Sequence, residues 1–529
     1  MSDRGSQYGI VELFPSAASK ASSMEIQNQA IPPQTTDPQQ PPTAISPTMF
    51  EEAISTLASI LENNPWVPEI AGILPLSALI DFVDVPLKLH VHQLVSGVPL
   101  WSWPVTPAGS RLLLSKSVPQ EGPCLDRFGR SASLEALDGR YGDRYFLSSP
   151  ETLRLALKSQ QAVTVENDHD NMRSDNDLRV QHLEVVFVSR VGAGDNRDAF
   201  EARWYHYALG HPAIHSIGFI ATSALGWVAL LGCIIAAILF RLYIALAFLL
   251  LMPLTGILIF GIYGGRPRRL LVSRPSEYNR MVVVTEHMNS TEWTVFYGES
   301  TIVNSLLNRP LEPTQPDEAS PARLRALQSI LRLFILGQWA AAIGAATTKN
   351  WNSFFISFWV IFCNATHGFF IPPTGRTGDW AVRCAKVQLQ RYKTKLSSRR
   401  ALLNALVALN PDTFAETPGG GTDRTKLYAQ GMTWMDPILK PSANRTAWEA
   451  ATMDALNEVD AWGGDDEEVA AKCRNSEPSP FGAQWSDRYQ GRDTYWKPFI
   501  SEGIYVTSKV RFVGSLPRRK VPRDEKASC

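Results

Sequence analysis

No CxxC pair, no Cys/His metal spacing and no GxSxG, GxxxxGK[ST] or HExxH pattern occurs in the 529 residues. The hydrolase elbow, the phosphate-cradling loop and the zinc-protease helix are thereby excluded. Net charge is missing too, because 51 basic and 51 acidic side chains cancel, and no global field draws the chain toward nucleic acid. The six cysteines are scattered, which reads as reduced thiols in a cytosol-facing chain rather than a disulfide framework. The N-terminal MSDRGSQYGIVELFPSAASK lacks the basic stretch and apolar core of a signal peptide, so internal segments are expected to drive insertion into a membrane.

Those internal segments are conspicuous. Residues 214–240 and 242–264 are almost wholly apolar and are separated only by Arg241, so together 211–265 reads as a transmembrane hairpin. A single helix of that length would overshoot a hydrocarbon layer of about 30 Å nearly twofold. A second hairpin is expected over 326–371, with spans 326–347 and 351–371, although Arg332, Gln338, Asn352, Asn364 and His367 dilute it. Arg332 is near an end, where its stem can snorkel, and Trp339, Trp351 and Trp359 suit interfacial anchoring. Arg266, Arg268, Arg269 and Arg274 follow the first hairpin and Arg376, Arg383 and Lys386 the second, whereas the tips carry only Arg241 and Lys349. The positive-inside rule then places both termini and the 266–325 loop in the cytosol. The sequons at Asn289, Asn364 and Asn444 are expected to stay unmodified.

The expected fold class is an α-helical membrane protein of two hairpins carrying α+β soluble cytosolic regions. Residues 1–48, dense in Pro, Gln, Ser and Thr, hold too little apolar surface to order a chain and read as a disordered tail. Residues 49–210 read as a cytosolic α+β region, with an amphipathic helix over 49–62, a helix near 150–160 and a strand near 182–189. Within it, 66–101 is apolar, but Pro65, Pro68, Pro75, Pro86 and Pro99 interrupt it and Asp81 and Asp84 stand in its middle, so no span is expected. Residues 372–529 read as a cytosolic C-terminal domain that begins with a polybasic juxtamembrane helix.

That helix is the main candidate binding element. Arg383, Lys386, Arg391, Lys393, Lys395, Arg399 and Arg400 occur with no acidic side chain between 383 and 400, a pattern suited to anionic lipid or simply to enforcing orientation. Gly218, Thr222 and Gly226, and likewise Gly337, Ala341 and Gly344, are candidates for close helix packing, between the hairpins or with a second copy or another membrane protein. Asn364 and His367 share a helix face, where a single His more often bonds across helices than carries transport chemistry. His211 and His215 form an HxxxH pair with Pro212 between them, a poor preformed metal site. His90 and His92 alternate as in a strand and lack a third ligand. No catalytic residue, metal or cofactor is expected.

The motifs WTVFYGES and SLLNRPL at 293–311, KNWNSF at 349–354, SRRALLNALVALNPD at 398–412, and WMDPIL with Arg445 and Trp448–Glu449 at 434–449 are similar to those of a group of uncharacterised fungal integral membrane proteins. The resemblance covers under a third of the chain and implies membrane anchoring without supplying an activity. Three functional classes stay open: a non-enzymatic accessory, scaffold or regulatory component, a transporter or channel subunit, and a membrane-bound enzyme. The first is the leading expectation, with membrane lipids as partners and no nucleic acid.

Overall fold

The computed structural model describes residues 49–78, 84–104, 113, 122–128, 133–173, 180–191, 216–263, 267–271, 275–276, 278–313, 321–411, 432–475, 479–489 and 496–516. The expected disordered tail and the His211/His215 pair lie outside them. The described helices are α1 Met49–Asn63, α2 Trp66–Ala78, α3 Val85–Val95, α4 Cys124–Phe128, α5 Pro150–Lys158, α6 Asp170–Arg173, α7 Ile217–Leu239, α8 Tyr243–Tyr263, α9 Ser300–Leu307, α10 Pro321–Thr348, α11 Trp351–Ala365, α12 Pro373–Arg383, α13 Arg399–Leu409, α14 Ala443–Trp462, α15 Asp466–Lys472, α16 Ala483–Arg488 and α17 Lys497–Gly514. The strands are β1 Glu135–Asp138, β2 Arg144–Phe146, β3 Ala162–Thr164, β4 Gln181–Arg190, β5 Arg268–Arg269, β6 Asn279–Thr285, β7 Glu292–Glu299, β8 Glu312–Pro313 and β9 Val387–Leu396.

Four helices are long and apolar enough to cross a membrane: α7, α8, α10, and α11 with its extension to Phe370. Ser216 caps α7 by accepting from the Phe219 N–H, and Asn350 caps α11 by accepting from the Asn352 N–H. Arg241 and Lys349 take left-handed backbone conformations at the two tips, so each turn closes within a few residues. Ile217, Leu225 and Val228 remain exposed along α7, an apolar face that water would penalise and hydrocarbon accepts. The helices do not close as two separate pairs. α10 packs chiefly on α8, and α2 lies against both α10 and α11.

Seven strands form one mixed sheet in the order β2-β1-β6-β7-β4-β9-β3. β4 pairs parallel with β7 and antiparallel with β9. Both faces are covered. On one, Leu183, Val185, Val283, Trp293, Val295 and Tyr297 pack with α13, α14 and α17. On the other, Val186, Val188, Val282, Val284 and Phe296 meet α3, α9, α12 and the sheet-side ends of α8 and α10. Strands buried on both faces read as continuous apolar runs, as in MVVV and WTVFY.

Three expectations are corrected. Residues 383–400 do not form a basic helix: they end α12, build β9 and begin α13, because Val387 and Leu389 are buried on one face of the sheet, Tyr392 and Leu396 on the other, and Arg391 finds Glu184 on β4. Residues 49–210 are not one region: α1 and α2 sit at the Lys349 tip, remote from the sheet, with Glu69 paired to Lys349 at 2.8 Å and the Trp351 indole N–H bonded to the Leu57 carbonyl at 2.8 Å. His90 and His92 lie on helix α3, not on a strand. The expected helices near 49–62 and 150–160 and the strand near 182–189 are present. Ser442 caps α14 by accepting from the Arg445 N–H.

Glu502 on α17 joins three parts of the soluble region. Fully buried, it accepts from the N–H and hydroxyl of Ser397 and from the side-chain amides of Asn167 and Asn171, the latter two at 3.0 and 2.9 Å. Glu502→Ala strands these donors and is expected to cost about 3 kcal/mol or more, measured by unfolding in detergent; Glu502→Gln, which keeps one acceptor, costs less. Unchanged unfolding of the alanine variant contradicts this role.

Candidate functional site

α3 begins at Asp84, whose carboxylate accepts from the Leu87 N–H at 3.0 Å, and ends at Ser96 in a left-handed conformation. Beyond it Pro99 and Pro104 prevent further helix, so 96–104 runs as irregular backbone. That segment is threaded into the helix bundle. Trp101 lies where a side chain at Gly226 would be, 2.0 Å from a Cβ built there, and the Leu100 carbonyl occupies the same kind of notch at Gly256. Gly226 is nine residues into α7, about 14 Å from its end at 1.5 Å per residue, and Trp359, whose ring centroid is 5.8 Å from that of Trp101, is similarly deep in α11. Irregular backbone at such depth is tolerated where protein encloses it or where it lines a polar cavity.

Polar groups hold the segment. The Gln338 amide on α10 donates to the Trp103 carbonyl at 3.3 Å and to the Thr255 hydroxyl of α8 at 2.8 Å. The Lys88 ammonium donates to the Ser102 carbonyl, lies 3.4 Å from Ser102 Oγ, and is 4.7 Å from the Trp103 ring centroid. From the other side, His367 Nε2 is 2.9 Å from Ser102 Oγ. His367 belongs to a π-helical turn, Thr366–Phe370, that ends α11. Lys88 and Ser102 are buried, and Lys88 forms no ion pair among the described residues. Around this centre, both ring nitrogens of His92, the indole nitrogens of Trp101, Trp103 and Trp359, and the hydroxyls of Ser96 and Ser357 are buried without a hydrogen-bond partner among the described residues.

The opposite face of α3 is anchored to the soluble region. Gln93 accepts from the Cys124 N–H at 2.7 Å and His90 Nδ1 from the Leu125 N–H at 3.1 Å. His90 Nδ1 is therefore the acceptor, and Nε2 carries the proton toward Thr152 Oγ1, 3.1 Å away. Thr152 in turn donates to Asp126, which also accepts from the Glu151 and Thr152 N–H groups at the start of α5. Burial raises the Asp126 carboxyl to about 6, with those hydrogen bonds opposing the shift. Arg376 on α12 bonds Asp379 at 3.0 Å and the Gly97 carbonyl at 3.4 Å and lies 4.0 Å from the Phe219 ring centroid, tying the threaded segment to α7.

Two other places invite a chemical reading. His169 Nε2 is 3.2 Å from Ser501 Oγ beside Glu502, but His169 Nδ1 accepts from the Asn171 N–H, so Nε2 is protonated and cannot serve as a base toward Ser501. A cleft of about 650 Å³ opens over the ends of β7, β4 and β9, lined by Glu292, His182, Lys395, Thr294, Glu184 and Lys393 among others. Its charges alternate across the strands, and Lys393 already pairs with Glu184 at 3.7 Å. Outside the spans, burial pushes the thiols of Cys124, Cys384 and Cys473 up to about 11, 12 and 12, so none is a thiolate near neutral pH. Among the described residues no three His, Cys, Asp or Glu side chains group closely enough to hold a metal ion.

The residues singled out in the sequence are dispersed. Arg383 is 3.9 Å from Asp379, Lys386 sits at a left-handed turn, Arg391 bonds the Gln160 carbonyl at 2.7 Å, and Lys395 lines the cleft. Arg399 bonds the Met288 carbonyl at 2.6 Å, and Arg400 lies over Phe499. Of the small residues, Gly226 admits Trp101, Gly337 faces Leu251, Ala341 borders the bundle core, Thr222 bonds the Gly218 carbonyl, and Gly218 and Gly344 face open space. Lys88, Ser102 and Gln338 were not anticipated as a group. The available signal was the apolar Trp-Ser-Trp between prolines, preceded by the single lysine of α3. Comparison with protein-family models, curated proteins and solved structures returns no match.

Because the folded-state pKa of Asp126 is raised from 3.8 to about 6, the folded chain holds a proton that the unfolded chain releases. Stability is therefore highest below about pH 4 on this account and falls as pH rises to about 6, by at most about 1.4 kcal/mol per unit. Asp126→Asn should remove that decline in detergent unfolding measured across this range; a decline unchanged in the variant assigns it to another group.

Proposed function

We propose that this multi-pass membrane protein serves a polar pathway within the membrane, as a transporter or channel subunit, rather than acting only as an accessory or scaffold. The observation that carries the reading is the threaded segment 96–104 with Lys88, Ser102 and His367 around it. An ionisable group enclosed in a bundle costs stability, and replacing it with apolar side chains would commonly improve packing. A scaffold gains nothing from that cost. Irregular backbone between helices is how many transporters present polar groups to a solute near the midplane, and the partnerless imidazole, indole and hydroxyl groups supply a polar interior.

The same reading assigns α2 as a fifth traverse. Glu69 and Leu57 contact the Lys349 tip, whereas Lys88 and Ser102 lie beside His367, sixteen residues and about 24 Å along α11 from Trp351. α2 thus starts at the Lys349 end and α3 carries Lys88 at the other, and at 13 residues α2 is shorter than an apolar run that hydropathy reads as a span. α1 then faces the compartment opposite the sheet, in place of the expected arrangement with both termini cytosolic.

Two measurements test these statements. In oriented vesicles, a cysteine probe at Glu62→Cys should react with an impermeant reagent only from the side opposite to one at Lys440→Cys; reaction of both from one side removes the fifth traverse. Ser102→Cys should be modified by a small hydrophilic thiol reagent, with the site read by peptide mass spectrometry. If that cysteine is unreactive from both sides in the folded protein, the centre is a sealed core and the pathway reading fails.

A further inference from the structure

Three costly features converge on one hydroxyl. Lys88 is buried with no carboxylate beside it among the described residues. The backbone of 96–104 leaves helical geometry inside the bundle. α11 widens into a π-helix at Thr366–Phe370, a form concentrated at functional sites. The hydroxyl is that of Ser102, with Lys88 Nζ at 3.4 Å and His367 Nε2 at 2.9 Å.

The donor and acceptor rules set a direction. An ammonium only donates, so its approach to Ser102 Oγ occupies a hydroxyl lone pair; the Ser102 proton then has two acceptors within reach, His367 Nε2 and the Cys363 sulfur, and in the His367 Nδ1–H tautomer it points at Nε2. A proton can then leave Lys88 for Oγ as the Ser102 proton moves to Nε2. Lys88 becomes a neutral amine, His367 becomes an imidazolium, and the charge of the trio is unchanged. Release of the Nδ1 proton leaves His367 as the Nε2–H tautomer, and tautomerisation back to Nδ1–H, rotation of the hydroxyl and protonation of Lys88 restore the start. The other groups that face the trio come from every element packed around it. His92 comes from α3 and Cys363 from α11, α8 and α10 offer the neutral Thr255 and Gln338, α7 contributes Phe219, and Arg376 on α12 is held by Asp379.

We infer that Lys88, Ser102 and His367 form a proton relay in the sheet-side half of the bundle, so that the polar pathway proposed above is coupled to protons; the inference rests on that pathway. A purely structural pin would need only the bond from Lys88 to the Ser102 carbonyl, and neither the hydroxyl nor the imidazole. The full chain, reconstituted in phosphatidylcholine and phosphatidylglycerol vesicles with an internal pH dye, is given a potassium diffusion potential with valinomycin. Proton entry should exceed that of empty vesicles, fall by at least about tenfold in Ser102→Ala and in His367→Gln, and persist in Ser102→Thr. If Ser102→Ala does not fold, His367→Gln carries the comparison, since an amide keeps a hydrogen bond but takes up no proton. Equal rates in the wild type and both variants, or a wild type no faster than empty vesicles, overturn the relay. Reaction of Ser102→Cys with the thiol reagent alongside absent proton movement removes the relay and leaves the pathway; an unreactive Ser102→Cys removes both.

Discussion

Strand β4 lies between β7 and β9, and that pairing constrains the whole molecule. β4 precedes the first long apolar helix, β7 lies between the second and third, and β9 follows the fourth. One sheet can use all three only if each pair of these helices leaves and returns at the same end of the bundle. Seven paired residues between β4 and β7 and ten between β4 and β9 hold this arrangement. Burial of Val185, Val186, Val188, Val295 and Phe296 within it contributes about 1.5–3 kcal/mol per side chain. The soluble layer is therefore not an appendage on a membrane anchor. Its central strands and the long apolar helices are alternating parts of one chain path.

That path explains where the polar centre lies. α3 is a shared wall, with Gln93 and His90 fastened to α4 while Lys88 and His92 turn toward the spans. α12 does the same work from the other side, through Trp380 bonded to the Arg268 carbonyl and Arg376 bonded to the Gly97 carbonyl. Displacement of either helix would move the threaded segment against α7 and α8. Gly226 and Gly256 set how closely it can lie, since any side chain there would meet Trp101 or the Leu100 carbonyl. Sheet, α3 and threaded segment form a continuous packed connection from the soluble layer to Ser102.

The most exposed difference between local and global reading is the basic stretch 383–400. Seven positive side chains without an acid between them look like a surface helix, because a strand bearing that much charge would be unstable alone. Arg391 is nonetheless nearly buried in β9, since Glu184, two residues along β4 from its register partner Val186, pairs with its guanidinium and the Gln160 carbonyl accepts from it. Both partners lie more than two hundred residues earlier in the chain. No local window contains the charges that make the strand tolerable.

Hydropathy is a local sum, so the amino-acid order alone determined four apolar helices and their tight turns at Arg241 and Lys349. Local periodicity likewise determined α1, α5 and β4. What only the tertiary structure decided is how those pieces use one another. α2 runs beside α10 and α11 although Pro75 interrupts it, because neighbouring helices shelter its backbone. Ser102 becomes the meeting point of Lys88 and His367 although 265 residues separate it from the histidine. A polar side chain in an apolar stretch is costly or useful according to the groups that face it, and those groups are chosen by the fold.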